Sequence, residues 1–202
     1  MKLQNIVNPE LWLEVENNAV KLEESQIESD TLREVTLRDL PNNVFAFSAD
    51  KAVKISADKW TKSRNQFLNS ENDKINKNCD AVIIQYDDNQ LNIACCELKS
   101  KNPTPIQYET QLINTKLLID YLVALFNTFY EEEKVEIKNV CYILFYKNRA
   151  IRVQKSIRGE PQPVKEKMKN YPLYIIKYKC HKSLYNNIKW TDLMNPEIGN
   201  GS

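Results

Sequence analysis

Apolar residues along this 202-residue chain gather into short blocks separated by polar links, and the spacing inside the blocks changes along the chain. Cys79-Asp80-Ala81-Val82-Ile83-Ile84 opens one such run, and Leu91-Asn92-Ile93-Ala94-Cys95-Cys96 forms the next, with the turn-rich Asp87-Asp88-Asn89-Gln90 between them. Two apolar runs joined by so short a link predict a β-hairpin or a short-looped strand pair. Val140 to Tyr146 is continuously apolar, as a central strand covered on both faces would be. Leu173 to Tyr178 predicts a further strand, Ala150-Ile151-Arg152-Val153 alternates and suits another, and Gly159 to Pro163 reads as a loop.

A long helix is expected between the hairpin and the central strand. Thr104 at the N-cap, Pro105 at the first helical position and Gln107 two residues later announce its start, and the pattern carries it to about Tyr130. Leu118, Tyr121, Leu122, Leu125, Phe126 and Phe129 fall at helical spacing and predict its buried stripe. Steps of three and four backward from that stripe reach Asn114, Gln111 and Gln107, so the buried face turns polar beside the hairpin; Gln107 also fits as capping partner of Thr104. Near the N-terminus, Leu11 to Val15 and Glu34 to Leu37 read as short strands or helix edges, with an acidic stretch poor in turn signals between them. Ala57 to Phe67 reads as helical or irregular. The order β, β, α, β predicts an α/β chain of the α+β kind, a mixed central sheet flanked by helices. An acidic N-terminal segment, 1–46, would pack on or extend a main domain, 47–190, and a tail, 191–202, would follow.

Antiparallel pairing of the hairpin would bring Asp80 close to Glu97, and strand alternation puts Glu97 and Lys99 on the face of Ile93 and Cys95, with Leu98 on the other. Two carboxylates suit a hard cation such as Mg²⁺, with Mn²⁺ as substitute, and a neighbouring lysine can orient or deprotonate a metal-polarised water. Phosphodiester hydrolysis is the reaction such a set suits. An aspartate and a later Glu-x-Lys also arise as an ordinary solvated strand end; the apolar strands and the helix directly behind them separate the two readings.

Asp80 with Glu97-Leu98-Lys99 resembles the PD-(D/E)XK nuclease superfamily, whose signature is an acid on one strand and acid-x-lysine on the next. Cys79 stands where the family name has proline. The resemblance spans roughly residues 50–155 and implies the restriction-endonuclease-like fold. It implies Asp80, Glu97 and the Leu98 carbonyl as metal ligands, and Lys99 assisting the attacking water. It also implies a glutamine on the following helix that contacts water or phosphate, for which Gln111 is the candidate. A further acid from an earlier segment is common there; Asp58, Glu71 and Asp73 are open choices. The implied partner is nucleic acid, DNA ahead of RNA. A role in bacterial or phage defence or restriction would be in keeping, with a homodimer or a targeting subunit completing a minimal domain.

Composition narrows the field. Three glycines, Gly159, Gly199 and Gly201, exclude a glycine-rich phosphate loop, and a single histidine, His181, excludes a His-pair metal site. Five cysteines without a C-x-x-C pattern predict buried reduced thiols and a cytoplasmic protein. No membrane span is expected, since the longest apolar stretch is short and interrupted by Asp120. The net charge of +1 hides an asymmetry: residues 1–46 carry nine acids against four bases, and residues 140–190 carry twelve bases against two acids. Lys147, Arg149, Arg152, Lys155 and Arg158, followed by Lys165, Lys167 and Lys169 with tyrosines interleaved, are the expected nucleic-acid face. Two other readings stay open: a non-catalytic nucleic-acid-binding or scaffold subunit, and a protein-interaction or inhibitor module using its acidic and basic segments.

Overall fold

The computed structural model describes residues 3–23, 34–56, 59–62, 75, 77–99, 103–147, 163–180 and 187–195. The fold is mixed α+β, with sheets of six, four and two strands among these residues.

The six-stranded sheet grows from the hairpin. β7 (Ala81–Asp87) and β8 (Gln90–Lys99) pair antiparallel around a two-residue turn in which Asp88 takes a positive φ of 54°, a conformation aspartate tolerates. From Thr104 the chain enters α1 (Pro105–Phe129), and the capping box expected there is formed, with Thr104 N donating to Gln107 Oε1 at 3.2 Å. The chain then returns as β9 (Glu136–Lys147), parallel to β8. β9 is the apolar run read as a central strand, and it lies inside the sheet between β8 and β11 (Tyr174–Cys180). β4 (Val44–Phe47) closes one edge against β7, and β10 (Pro163–Lys167) closes the other against β11. β10 begins at the proline assigned to a loop by sequence; four of its five side chains are exposed, so the strand carries no alternation to read.

α1 covers one face of this sheet, packing Tyr108, Leu112, Ile119, Val123 and Phe126 over Val82, Ile84, Ile93, Cys95, Tyr142 and Leu144. Its buried stripe is out of phase with the expected one: Tyr121 is 60% and Phe129 73% exposed. The helix is apolar nearly all round, which leaves periodicity little contrast with which to fix a phase. By length and composition α1 could cross a membrane, but here it is laid on the sheet.

The opposite face carries a second sheet in addition to a short helix. Asn17 and Asn18, with φ of 49° and 57°, turn β1 (Val15–Glu16) into β2 (Ala19–Glu23), a hairpin signal the sequence reading passed over as turn-poor. β2 pairs with β3 (Glu34–Arg38), and β12 (Asn187–Lys189) joins β3 in parallel before α2 (Trp190–Met194). Val20, Leu22, Val35, Leu37, Ile188, Trp190 and Leu193 pack on Ala81, Ile83, Ala94, Cys96, Leu98, Ile143 and Phe145. Residues 1–46 therefore supply the cover of this face and, through β4, a strand of the main sheet; Leu193, assigned to a tail, is fully buried. The third sheet is the hairpin β5 (Ala52–Ser56) with β6 (Lys59–Lys62), so 59–62 is strand where helix or irregular structure was expected.

Candidate active site

Ala81 sits opposite Cys96, and one step further along the ladder sets Asp80 opposite Glu97. Asp80 Oδ2 accepts a hydrogen bond from Leu98 N at 2.6 Å, which fixes its carboxylate against the Glu97-Leu98-Lys99 segment. Because a strand residue's N–H and C=O point the same way, the Leu98 carbonyl is directed to the Asp80 side as well.

Glu97 is 0% exposed, and neither carboxylate oxygen accepts a well-formed hydrogen bond. Among the described residues its close partner is the Lys99 ammonium, which touches Oε1 from the same strand face. Burial pushes the Glu97 carboxyl well above its ordinary value, the Asp80 charge adds to the rise, Lys99 offsets part of it, and Asp50 raises it further. Asp50 follows β4, and its Oδ1 accepts from Asn78 N at 3.5 Å. It is an acid from an earlier segment that sequence reasoning did not single out. Asp58, Glu71 and Asp73 lie outside the described residues.

The polar patch of α1 holds the approach to Asp80. Gln111 Nε2 donates to Asn78 O at 3.0 Å, Asn114 Nδ2 donates to Lys77 O at 3.0 Å, and Thr115 Oγ1 accepts from Cys79 N at 2.8 Å while donating to Gln111 O. Gln111 thus holds the backbone two residues before Asp80, a positioning role. Thr115→Val would leave the buried Cys79 N–H without a partner. It is expected to lower stability by about 1–3 kcal/mol in urea titration, with Thr115→Ser restoring it.

Of the electropositive groups read in the sequence, the structure describes Lys147, Lys165, Lys167 and Lys169. Lys147 is 6% exposed; it pairs with Cys180 at the end of β9, on the face covered by the four-stranded sheet, so it is packed and not open to phosphate. Arg149, Arg152, Lys155 and Arg158 lie outside the described residues, as does His181. On the Glu97 face, register aligns Lys99, Tyr146 and the exposed Lys179 in a row across β8, β9 and β11. Lys165 and Lys167 are exposed on β10, with Lys165 Nζ 5.2 Å from the Tyr174 ring.

No family model, curated protein or solved structure matches the chain.

The donor set fits a hard divalent cation. Among the described residues no three Asp, Glu, His or Cys side chains converge as a closed cage. Mg²⁺ does not demand one, since it binds through one or two carboxylates and keeps waters and substrate oxygens as its remaining ligands. A buried carboxylate compensated by one ammonium is the kind of group whose charge a bound cation would stabilise.

Proposed function

We propose that the chain is a Mg²⁺-dependent nuclease of the PD-(D/E)XK type, acting on DNA ahead of RNA. The observation that carries this reading is Glu97, a fully buried carboxylate facing Asp80 across the strand pair with the Lys99 ammonium against it. Asp80, Glu97 and the Leu98 carbonyl would hold the cation. When bound, the cation supplies charge neutralisation at the scissile phosphate and makes a coordinated water more acidic. Lys99, which lies against Glu97, would orient the attacking water or the phosphate. Gln111, Asn114 and Thr115 keep the Lys77–Asp80 segment in place, and the Lys99–Tyr146–Lys179 row offers the backbone phosphates a track. Free thiols at all five cysteines favour a reducing, cytoplasmic setting, and restriction or defence is the role the resemblance suggests.

Exposed Lys165, Lys167 and Tyr174 also suit a subunit that binds nucleic acid without cutting it. One assay separates the two. Purified protein is incubated with plasmid, linear duplex, single-stranded DNA and RNA, in Mg²⁺, Mn²⁺ or chelator, beside Glu97→Ala. Metal-dependent cleavage that disappears in the variant is expected. Equal, salt-sensitive binding by both proteins with no cleavage in any condition would favour the binding subunit.

A further inference from the structure

Part of the outer face of α1 is apolar and exposed, with Ile113 beside it partly buried against the core. Leu117 is 58% and Tyr121 60% exposed, and Ile106 is 49% exposed at its start. Over 25 residues the helix carries three charged side chains; Glu109 is buried, and Lys116 and Asp120 neutralise each other at 2.5 Å on one flank of the stripe.

The stripe is matched in character, apolar or small, in both directions. Proceeding from Leu117 by steps of four, three and four reaches Tyr121, Ala124 and Thr128 one way, and Ile113, Thr110 and Ile106 the other. All lie within about a quarter of the helix circumference at 3.6 residues per turn. Thr128 Oγ1 donates to Ala124 O at 2.8 Å, which turns its methyl outward.

We propose that this face docks a second copy of the chain, the two α1 helices running antiparallel about a two-fold axis through Leu117. An isologous contact requires a surface complementary to itself, and this one is. Leu117 meets its own copy, Ile113 meets Tyr121, the small Thr110 meets the small Ala124, and Ile106 meets the Thr128 methyl. The two-fold keeps like flanks on the same side, so Lys116 of each copy comes within reach of Asp120 of the other, an axial offset of about 3 Å at 1.5 Å per residue. Charge complementarity is thereby satisfied twice. A helix seated on a lipid surface would instead carry basic residues along its flanks, and an unrelated partner would not demand the matched stripe. The inference goes beyond the nuclease reading and does not depend on it.

Full-length protein is examined by light scattering and sedimentation equilibrium across a concentration series. A dimer is expected, weakened at least tenfold by Leu117→Glu, which sets two carboxylates against each other on the axis. Lys116→Glu should weaken it as well, and combining that change with Asp120→Lys should restore it. At an interaxial distance of about 8–10 Å the two Leu117 Cα atoms come about 3–5 Å apart, which reaches disulfide range at the wider spacing. Leu117→Cys should therefore cross-link under mild oxidation where the parent chain and Lys138→Cys do not. That variant decides the matter if Leu117→Glu fails to fold by circular dichroism. A monomer at every concentration without Leu117→Cys cross-linking, or a dimer indifferent to Leu117→Glu, would overturn the proposal. So would a monomer that floats with phosphatidylserine vesicles through this face.

Discussion

Glu97→Gln is expected to abolish metal-dependent cleavage and at the same time to make the protein more stable. Partners that merely support metal ligands cost about 10–100-fold when removed, so loss of a ligand should cost on the order of a hundredfold or more. Stability moves the other way because the wild-type fold holds an ionisable group 0% exposed, where desolvation outweighs the Lys99 ammonium against it. Exchanging it for a neutral isostere should gain about 1–2 kcal/mol at pH 8. The sign of the pH dependence follows from the raised carboxyl. A group whose folded pKa exceeds its unfolded value of 4.5 contributes stability that is fully present below that value and lost as pH rises through the folded pKa. Wild type should accordingly lose stability with rising pH over that interval relative to Glu97→Gln. Mg²⁺ should return stability to wild type alone, and its apparent affinity should tighten with pH as it displaces the proton. Thermal melts of both proteins from pH 5 to 9, with and without Mg²⁺, provide the measurement. A variant less stable at every pH, or a wild type blind to Mg²⁺, would sink the cation site.

Glu109→Ala should give the largest loss of stability among the polar positions. Glu109 is 1% exposed on α1, and its carboxylate accepts from Lys169 N at 2.8 Å, Asn170 N at 2.9 Å and Asn170 Nδ2 at 2.7 Å. It pins the turn joining β10 to β11 onto the helix. Removal takes the shared acceptor from three donors at once, so about 3–5 kcal/mol should be lost in urea. Glu109→Gln keeps one acceptor oxygen and should lose about half as much. Protease cleavage within 169–173 should quicken in parallel. A loss below about 1 kcal/mol for Glu109→Ala would show that these bonds are readily replaced by water.

Legibility followed the physics of each segment. The hairpin, α1 and β9 announced themselves because they are buried on both faces or begin with cap chemistry that reports directly on geometry. Asp80 and Glu97 were readable as opposite one another because a two-residue turn leaves the register little freedom. β10 could not be read, since an exposed edge strand has no alternation. The phase of α1 was misjudged because its outer face, with Leu117 and Tyr121, is as apolar as its inner one. Asp50 was missed for a different reason: its approach to Glu97 depends on β4 crossing to pair with β7, a contact between distant parts of the chain that no local pattern encodes. The burial of Lys147 likewise depends on the four-stranded sheet, three of whose strands come from the acidic segment whose job was not evident.

That sheet also constrains how the molecule is made. β12 is its last strand and lies parallel to β3, so the fold joins residues 187–189 to residues 36–38. While the chain is being synthesised, Thr36, Leu37 and Arg38 have no β12 neighbour until residues 187–189 have been made. Contacts of such long sequence separation form late, because the intervening chain must be ordered before they reward it. The nascent protein therefore carries an unclosed, apolar-backed strand edge until that segment emerges, the feature that recruits chaperones and invites aggregation.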